Sequence, residues 1–138
     1  MTWDSLDWEA LERLRGQFLR GATAGPYWTS PTDLASYDLT FAERIGWKWD
    51  HVLRELRLRA WRPAPRTIFD WGCGSGVAAR RVISFFGAEN FDSLTVWDHS
   101  PLACDFAVWI ASPRLKTTQL QWMILTFWTG QLLSAGRS

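Results

Sequence analysis

The residues best suited to chemistry lie in one stretch, Thr67–Gly76, which reads Thr-Ile-Phe-Asp-Trp-Gly-Cys-Gly-Ser-Gly. A short apolar run, Ile68 and Phe69, ends in an acid, Asp70. Three glycines follow at alternate positions, Gly72, Gly74 and Gly76. Glycine tolerates positive φ and lets a ligand approach the backbone, and the free N–H groups that open a helix attract electron-rich groups. A buried strand, a glycine turn and a helix over Val77–Phe86 therefore predict a pocket for a nucleotide-like ligand. The spacing narrows the choice. The dinucleotide fingerprint is G-x-G-x-x-G, and with Gly72 as its first glycine it requires glycine where Val77 stands. A second acid, Asp98, lies 22 residues beyond Gly76, where a doubly wound fold places the partner of ribose hydroxyls. One carboxylate for an ammonium group and one for a ribose suit an adenosyl amino acid better than a pyrophosphate. A nicotinamide dinucleotide, bound by an oxidoreductase, is the competing ligand.

Other reactive side chains offer less. Cys73 sits inside the turn, where a small residue is needed, and no paired base marks it as a catalytic thiol. Cys104 reads as a packed helix residue and His51 as a surface or hydrogen-bonded helix residue, whereas His99, beside Asp98, reads as a pocket wall. Two separated cysteines supply neither a disulfide framework nor a four-ligand metal site, so no metal is expected. Arg54, Arg57, Arg59, Arg62 and Arg66 lie near tryptophans, a mixture found on RNA-binding surfaces. Glu55 interrupts the run, and a solvated helix face is the alternative.

The elements that must position the turn can be read in order. Trp8, Leu11, Leu14 and Phe18 recur every three or four residues, which predicts an amphipathic helix from Asp4 to about Arg20. Gly21–Pro31 reads as a loop. A second apolar stripe, Leu39, Ala42, Ile45, Trp49, Val52 or Leu53, Leu56 and Ala60, predicts a helix from about Asp38 to Trp61, stopped by Pro63 and Pro65. After the glycine turn and its helix, Leu94–Trp97 is a second short strand ending in Asp98. Ser100 and Pro101 suit the start of a helix reaching about Ala111. Strand, helix, strand and helix at this spacing imply parallel strands with a right-handed crossover, an α/β arrangement.

Three regions result: N-terminal helices over 1–62, a βαβα unit over 63–112, and a divergent tail over 113–138. Every acid lies at or before Asp105, so residues 1–105 carry a net −2 and the tail carries +3. Leu120–Trp128 fits a strand or a helix, and no third glycine-bounded strand is visible in the tail. At 138 residues and a formal net charge of +1, one domain is expected, with no bulk charge announcing nucleic acid or membrane. Eleven tryptophans are expected to supply much of the core. Asp4, Asp7 and Glu9 break any signal peptide and polar residues interrupt Leu120–Leu133, so a cytoplasmic protein without a membrane span is expected.

Asp70-Trp71-Gly72-Cys73-Gly74-Ser75-Gly76 with Trp97-Asp98-His99-Ser100 resembles the first two motifs of the class I S-adenosylmethionine-dependent methyltransferases. Gly25-Pro26-Tyr27-Trp28, Leu34-Ala35-Ser36-Tyr37 and Phe41–Trp49 are similar to bacterial relatives of the mitochondrial small-ribosomal-subunit methyltransferase-like family. The resemblance covers roughly residues 10–107. It implies the first half of a Rossmann-like sheet, S-adenosylmethionine as cofactor, and ribosomal RNA or the small ribosomal subunit as partner. It also implies Asp70 and Gly72 near the methionine part of the cofactor, Gly74 and Gly76 in the turn beneath it, and Cys73 among the cofactor-binding residues. Asp98 would then lie at the ribose and His99 beside the adenine, with Arg44 or Tyr37 reaching the carboxylate. The family's later strands and cysteine cluster have no counterpart, so an incomplete chain is expected, and a non-catalytic assembly factor or an inactive fragment stands as the alternative to an enzyme.

Overall fold

The computed structural model describes residues 3–21, 27–64, 66–111 and 116–119. Five helices and three strands follow one another as α1 (Trp8–Arg20), α2 (Pro31–Leu39), α3 (Phe41–Leu58), β1 (Thr67–Trp71), α4 (Val77–Phe86), β2 (Ser93–Trp97), α5 (Pro101–Ala111) and β3 (Lys116–Gln119). Short 3-10 turns occupy Trp3–Ser5 and Ala88–Asn90. The strands form one parallel sheet in the order β1-β2-β3. Thr67 pairs with Ser93 and Trp71 with Trp97, while Ser93 pairs with Lys116. The chain is thus a mixed α/β protein, as its sequence predicts.

Three helix boundaries have visible causes. At α1 the Asp7 carboxylate accepts from the Ala10 N–H, and α1 stops at Gly21 with φ +73°. Ser30 caps α2 by accepting from the Asp33 N–H, with Pro31 in the first turn. This helix starts at the last residue of the expected loop, fills residues 32–37, for which no element was expected, and takes over the start of the expected single helix from Asp38. Thr40 divides the two, its hydroxyl donating to the Ser36 carbonyl at 2.8 Å. The competing signal was local: Ser30-Pro31 followed by Asp33 is an N-terminal cap, and it outweighs the loop-like composition before it.

The core has two parts. Ala79 and Ile83 of α4, Cys104, Ala107 and Ala111 of α5, and Leu94 and Val96 of β2 form one cluster, with Ile68 against it. Both crossover helices therefore cover the same face of the sheet. Leu14, Trp28, Leu34 and Ala103 form the second cluster, which seats α1 and α2 on α5. The helix α3 lies against α4, where Arg81 reaches Glu43 at 2.5 Å and Asp50 at 3.2 Å. Gly46 makes room for this: a Cβ there would meet the Arg81 guanidinium at 2.6 Å.

Several expectations need correction. The strand β1 is not buried; its residues alternate between exposed and half-buried, with Phe69 and Trp71 on the open side. It pairs on one side only among the described residues, and α4 and α5 cover only its other face. A third strand, β3, lies in the tail ahead of Leu120–Trp128, without the bounding glycines that the first two strands led one to look for. Tryptophan supplies little of the core: Trp28 and Trp97 are buried, while Trp3, Trp8, Trp47, Trp61, Trp71 and Trp109 are exposed. The buried face of α1 is Ala10, Leu11 and Leu14, with Trp8 and Phe18 exposed. The stripe of α3 holds better, with Ala42 and Leu53 buried and Val52 exposed. Gly25, Pro26 and Leu120–Trp128 lie outside the described residues.

Candidate functional site at the glycine turn

All three glycines between β1 and α4 have left-handed backbones, with φ +70° at Gly72, +52° at Gly74 and +75° at Gly76. An L side chain is strained in this region, so the turn needs glycine at each alternate position. Their surroundings differ. A Cβ at Gly72 or Gly74 would meet nothing within 4 Å, whereas one at Gly76 would stand 3.0 Å from the Ala107 Cβ. The inner end of the turn is thus pressed against α5, and its outer part faces open space.

Both acids hold the turn in shape. Asp70 accepts from the Ala79 N–H at 3.3 Å, capping α4 from the neighbouring strand where Gly76 offers no side chain. An acid there also complements the positive end of the helix dipole. Asp98 accepts from the Gly74 N–H at 2.9 Å and from the Ser100 N–H at 3.0 Å, tying the end of β2 to the turn and to the start of α5. The Trp97 carbonyl accepts from the N–H groups of Gly72 and Cys73. Each Asp98 oxygen keeps acceptor capacity beyond its backbone bond, which leaves room for a ligand hydroxyl.

Burial raises the Asp70 carboxyl above the usual carboxylate range; the Ala79 N–H opposes this and the Asp98 charge adds to it. Burial also pushes the Cys73 thiol up, with Cys104 and the two acids adding to the effect. Cys104 rises for the same first reason. Both thiols are buried and free, and neither is an activated nucleophile.

The structure brings Asp70, Gly72, Cys73, Gly74, Gly76 and Asp98 together. It also extends an aromatic row along the strand ends: Trp71 stacks on Trp97 at 4.1 Å, and His99, which is exposed, stands edge-on to Trp97 at 4.7 Å. Tyr37 is close enough to feel Asp98; burial first, then the negative groups of Tyr27, Asp38 and Asp98, push its hydroxyl up to about 12. Arg44 is not part of this site. It lines a separate groove with Trp3, Trp8, Glu12 and Trp47, because α3 begins beyond the break at Thr40 and turns Arg44 outward. Ser75, which the sequence reading passed over, is buried and its Oγ has no hydrogen-bond partner among the described residues. Its signal was a polar residue between two glycines.

Among the described residues, no group of three or more His, Cys, Asp or Glu could hold a metal ion, and no helix is long and apolar enough to cross a membrane. No family model matches the chain, and no curated protein matches it.

Proposed function

We propose that the glycine turn binds S-adenosylmethionine and that the chain is a methyltransferase-family protein linked to ribosomal RNA or small-subunit assembly. The observation that carries this reading is the turn itself: three alternate left-handed glycines between a parallel strand and a helix, open over Gly72 and Gly74. The order β1-β2-β3 with both helices on one face supports the first half of a Rossmann-like sheet. The residues present fit the cofactor. Asp70 lies at the strand tip for a cationic amino-acid moiety, Asp98 lies at the end of the next strand for ribose, and the orphaned Ser75 hydroxyl is a polar group without a partner in the turn. Val77 is buried as the first residue of α4, which disfavours the dinucleotide spacing.

When bound, the cofactor supplies an electrophilic sulfonium methyl group. The chain's own part is to bind and orient: Asp70 and Asp98 set negative charge on two sides of the turn, and the exposed His99 ring, edge-on to the buried Trp97, flanks the place for adenine. In-line positioning of a methyl donor and a nucleophile supplies much of the rate in such chemistry. A second reading, a non-catalytic assembly factor that keeps the fold, is favoured by the two acids being engaged with backbone N–H groups and by the inert thiols.

A thermal-shift competition tests the ligand. S-adenosylmethionine and S-adenosylhomocysteine should raise the melting temperature in a saturable way, and the nicotinamide dinucleotides should not. A larger shift with a nicotinamide dinucleotide would overturn the spacing argument. Salt-dependent binding of ribosomal RNA without methyl transfer would favour the second reading.

A further inference from the structure

The far end of α4 carries a second feature, unconnected to the glycine turn. With ten residues rising about 1.5 Å each, α4 separates the two by about 15 Å. There the ends of α3 and α4 enclose a cleft of about 260 Å³ lined by Arg57, Arg62, Pro63, Phe85, Phe86 and Asn90. No carboxylate lines it. The Arg57 guanidinium lies over the Phe85 ring at 5.3 Å. Trp61, 44% exposed, stands edge-on to Phe86 at 5.6 Å, and Phe85 and Phe86 meet at 5.0 Å.

The arginines here divide into two groups. Arg59 pairs with Glu55, and Arg66 pairs with Asp92 and donates to the Glu89 carbonyl. These two behave as ordinary solvated surface charges. Arg54, Arg57 and Arg62 make no ion pair among the described residues; of the two that line the cleft, Arg57 lies over Phe85 and Arg62 donates to the Trp61 carbonyl. Guanidinium groups free of acids attract phosphates, and the exposed Trp61 ring, with the half-buried Phe85 and Phe86 behind it, offers a stacking platform for an unpaired base. A duplex keeps its bases stacked inside and cannot place one in such a cleft, and an acidic peptide without aromatic side chains leaves the rings unused.

We propose that this cleft docks single-stranded RNA, with a base against Trp61 at the edge of Phe85 and Phe86 and its flanking phosphates against Arg57 and Arg62. The proposal deepens the RNA-linked reading by naming a surface, and rests on it only for the class of partner. Docked here, a strand is held about one helix length from the glycine turn.

Fluorescence anisotropy with a labelled oligouridylate, in the absence of any cofactor, tests it. The full chain should bind saturably at low salt. The pair Arg57→Ala with Arg62→Ala should weaken binding at least tenfold and flatten the log–log salt slope by about 1.4, two phosphates at about 0.7 each. Trp61→Ala should cost about tenfold with the slope unchanged, and Trp61→Tyr should restore most of it. Arg15→Ala with Lys48→Ala, the same charge change elsewhere on the surface, should do little. The proposal is overturned by absence of saturable binding at low salt, by equal competition from duplex RNA or polyglutamate, or by an equal loss in the Arg15 and Lys48 pair. Because cofactor is left out, failure here and failure of cofactor binding are read separately.

Discussion

Gly76 answers two demands at once, a left-handed backbone and close approach of the Ala107 methyl. Gly76→Ala should therefore destabilise the fold by about 1–3 kcal/mol, read as a lower urea midpoint. Ala60 is the opposite case. It ends α3 with φ +57°, its N–H donating to the Arg57 carbonyl and the Trp61 N–H to the Leu56 carbonyl. That pair of bonds is a Schellman ending, whose left-handed position is usually glycine. Ala60→Gly should stabilise the protein by roughly 0.5–1 kcal/mol, raising the urea midpoint without changing the slope. At this scale the sequence was informative where glycine spacing forced a backbone, and less so for acids. Asp70 and Asp98 were legible as strand-end carboxylates, but their bonds to the Ala79, Gly74 and Ser100 N–H groups depend on how three segments meet in space. Ala60 gave no signal, because alanine carries no mark of an unusual φ.

Between elements, α1, the segment before α2, and α2 are joined by one buried acid. Asp33 accepts from the Thr29 N–H at 2.8 Å, the Thr29 hydroxyl at 2.7 Å and Arg13 at 2.5 Å. Burial alone would raise its pKa, but these bonds and the Ser30 hydroxyl outweigh burial and lower it to about 2, from 3.8. A depressed carboxylate pKa stabilises the fold above the unfolded value, so this contribution is complete above about pH 4. It is lost as pH falls toward 2 and amounts to roughly 2 kcal/mol. Acid unfolding followed by circular dichroism should show Asp33→Asn less stable than the parent at neutral pH, with the gap closing below pH 4. A gap that stays constant to pH 2 would contradict this. Periodicity found α1 and α3 by their apolar stripes, while α4 was read from the glycine turn before it and α5 from its Ser100-Pro101 start. It missed α2, whose start is set by a cap and a proline, and it missed β3, a four-residue strand of polar residues defined only by its pairing with β2.

Taken whole, the molecule lays two crossover helices on one face of a three-stranded parallel sheet and leaves Phe69 and Trp71 exposed on the other. Parallel sheets are ordinarily covered on both faces, and that is why the sequence read β1 as a buried strand. The pattern of tryptophans misled for a related reason: a large ring signals burial only when another layer is present to receive it. What the order of strands does provide is a glycine turn held from three sides, by Asp70 below, Asp98 from β2 and Ala107 of α5.

The most direct measurement is a calorimetric titration of S-adenosylmethionine into the full chain and into Gly74→Val, whose side chain would both strain the left-handed turn and occupy the open space over it. The account predicts a one-to-one isotherm for the parent and at least a tenfold loss for Gly74→Val, with both proteins folded by circular dichroism. No heat of binding at millimolar cofactor with a folded parent, or equal affinity in the two proteins, would contradict it.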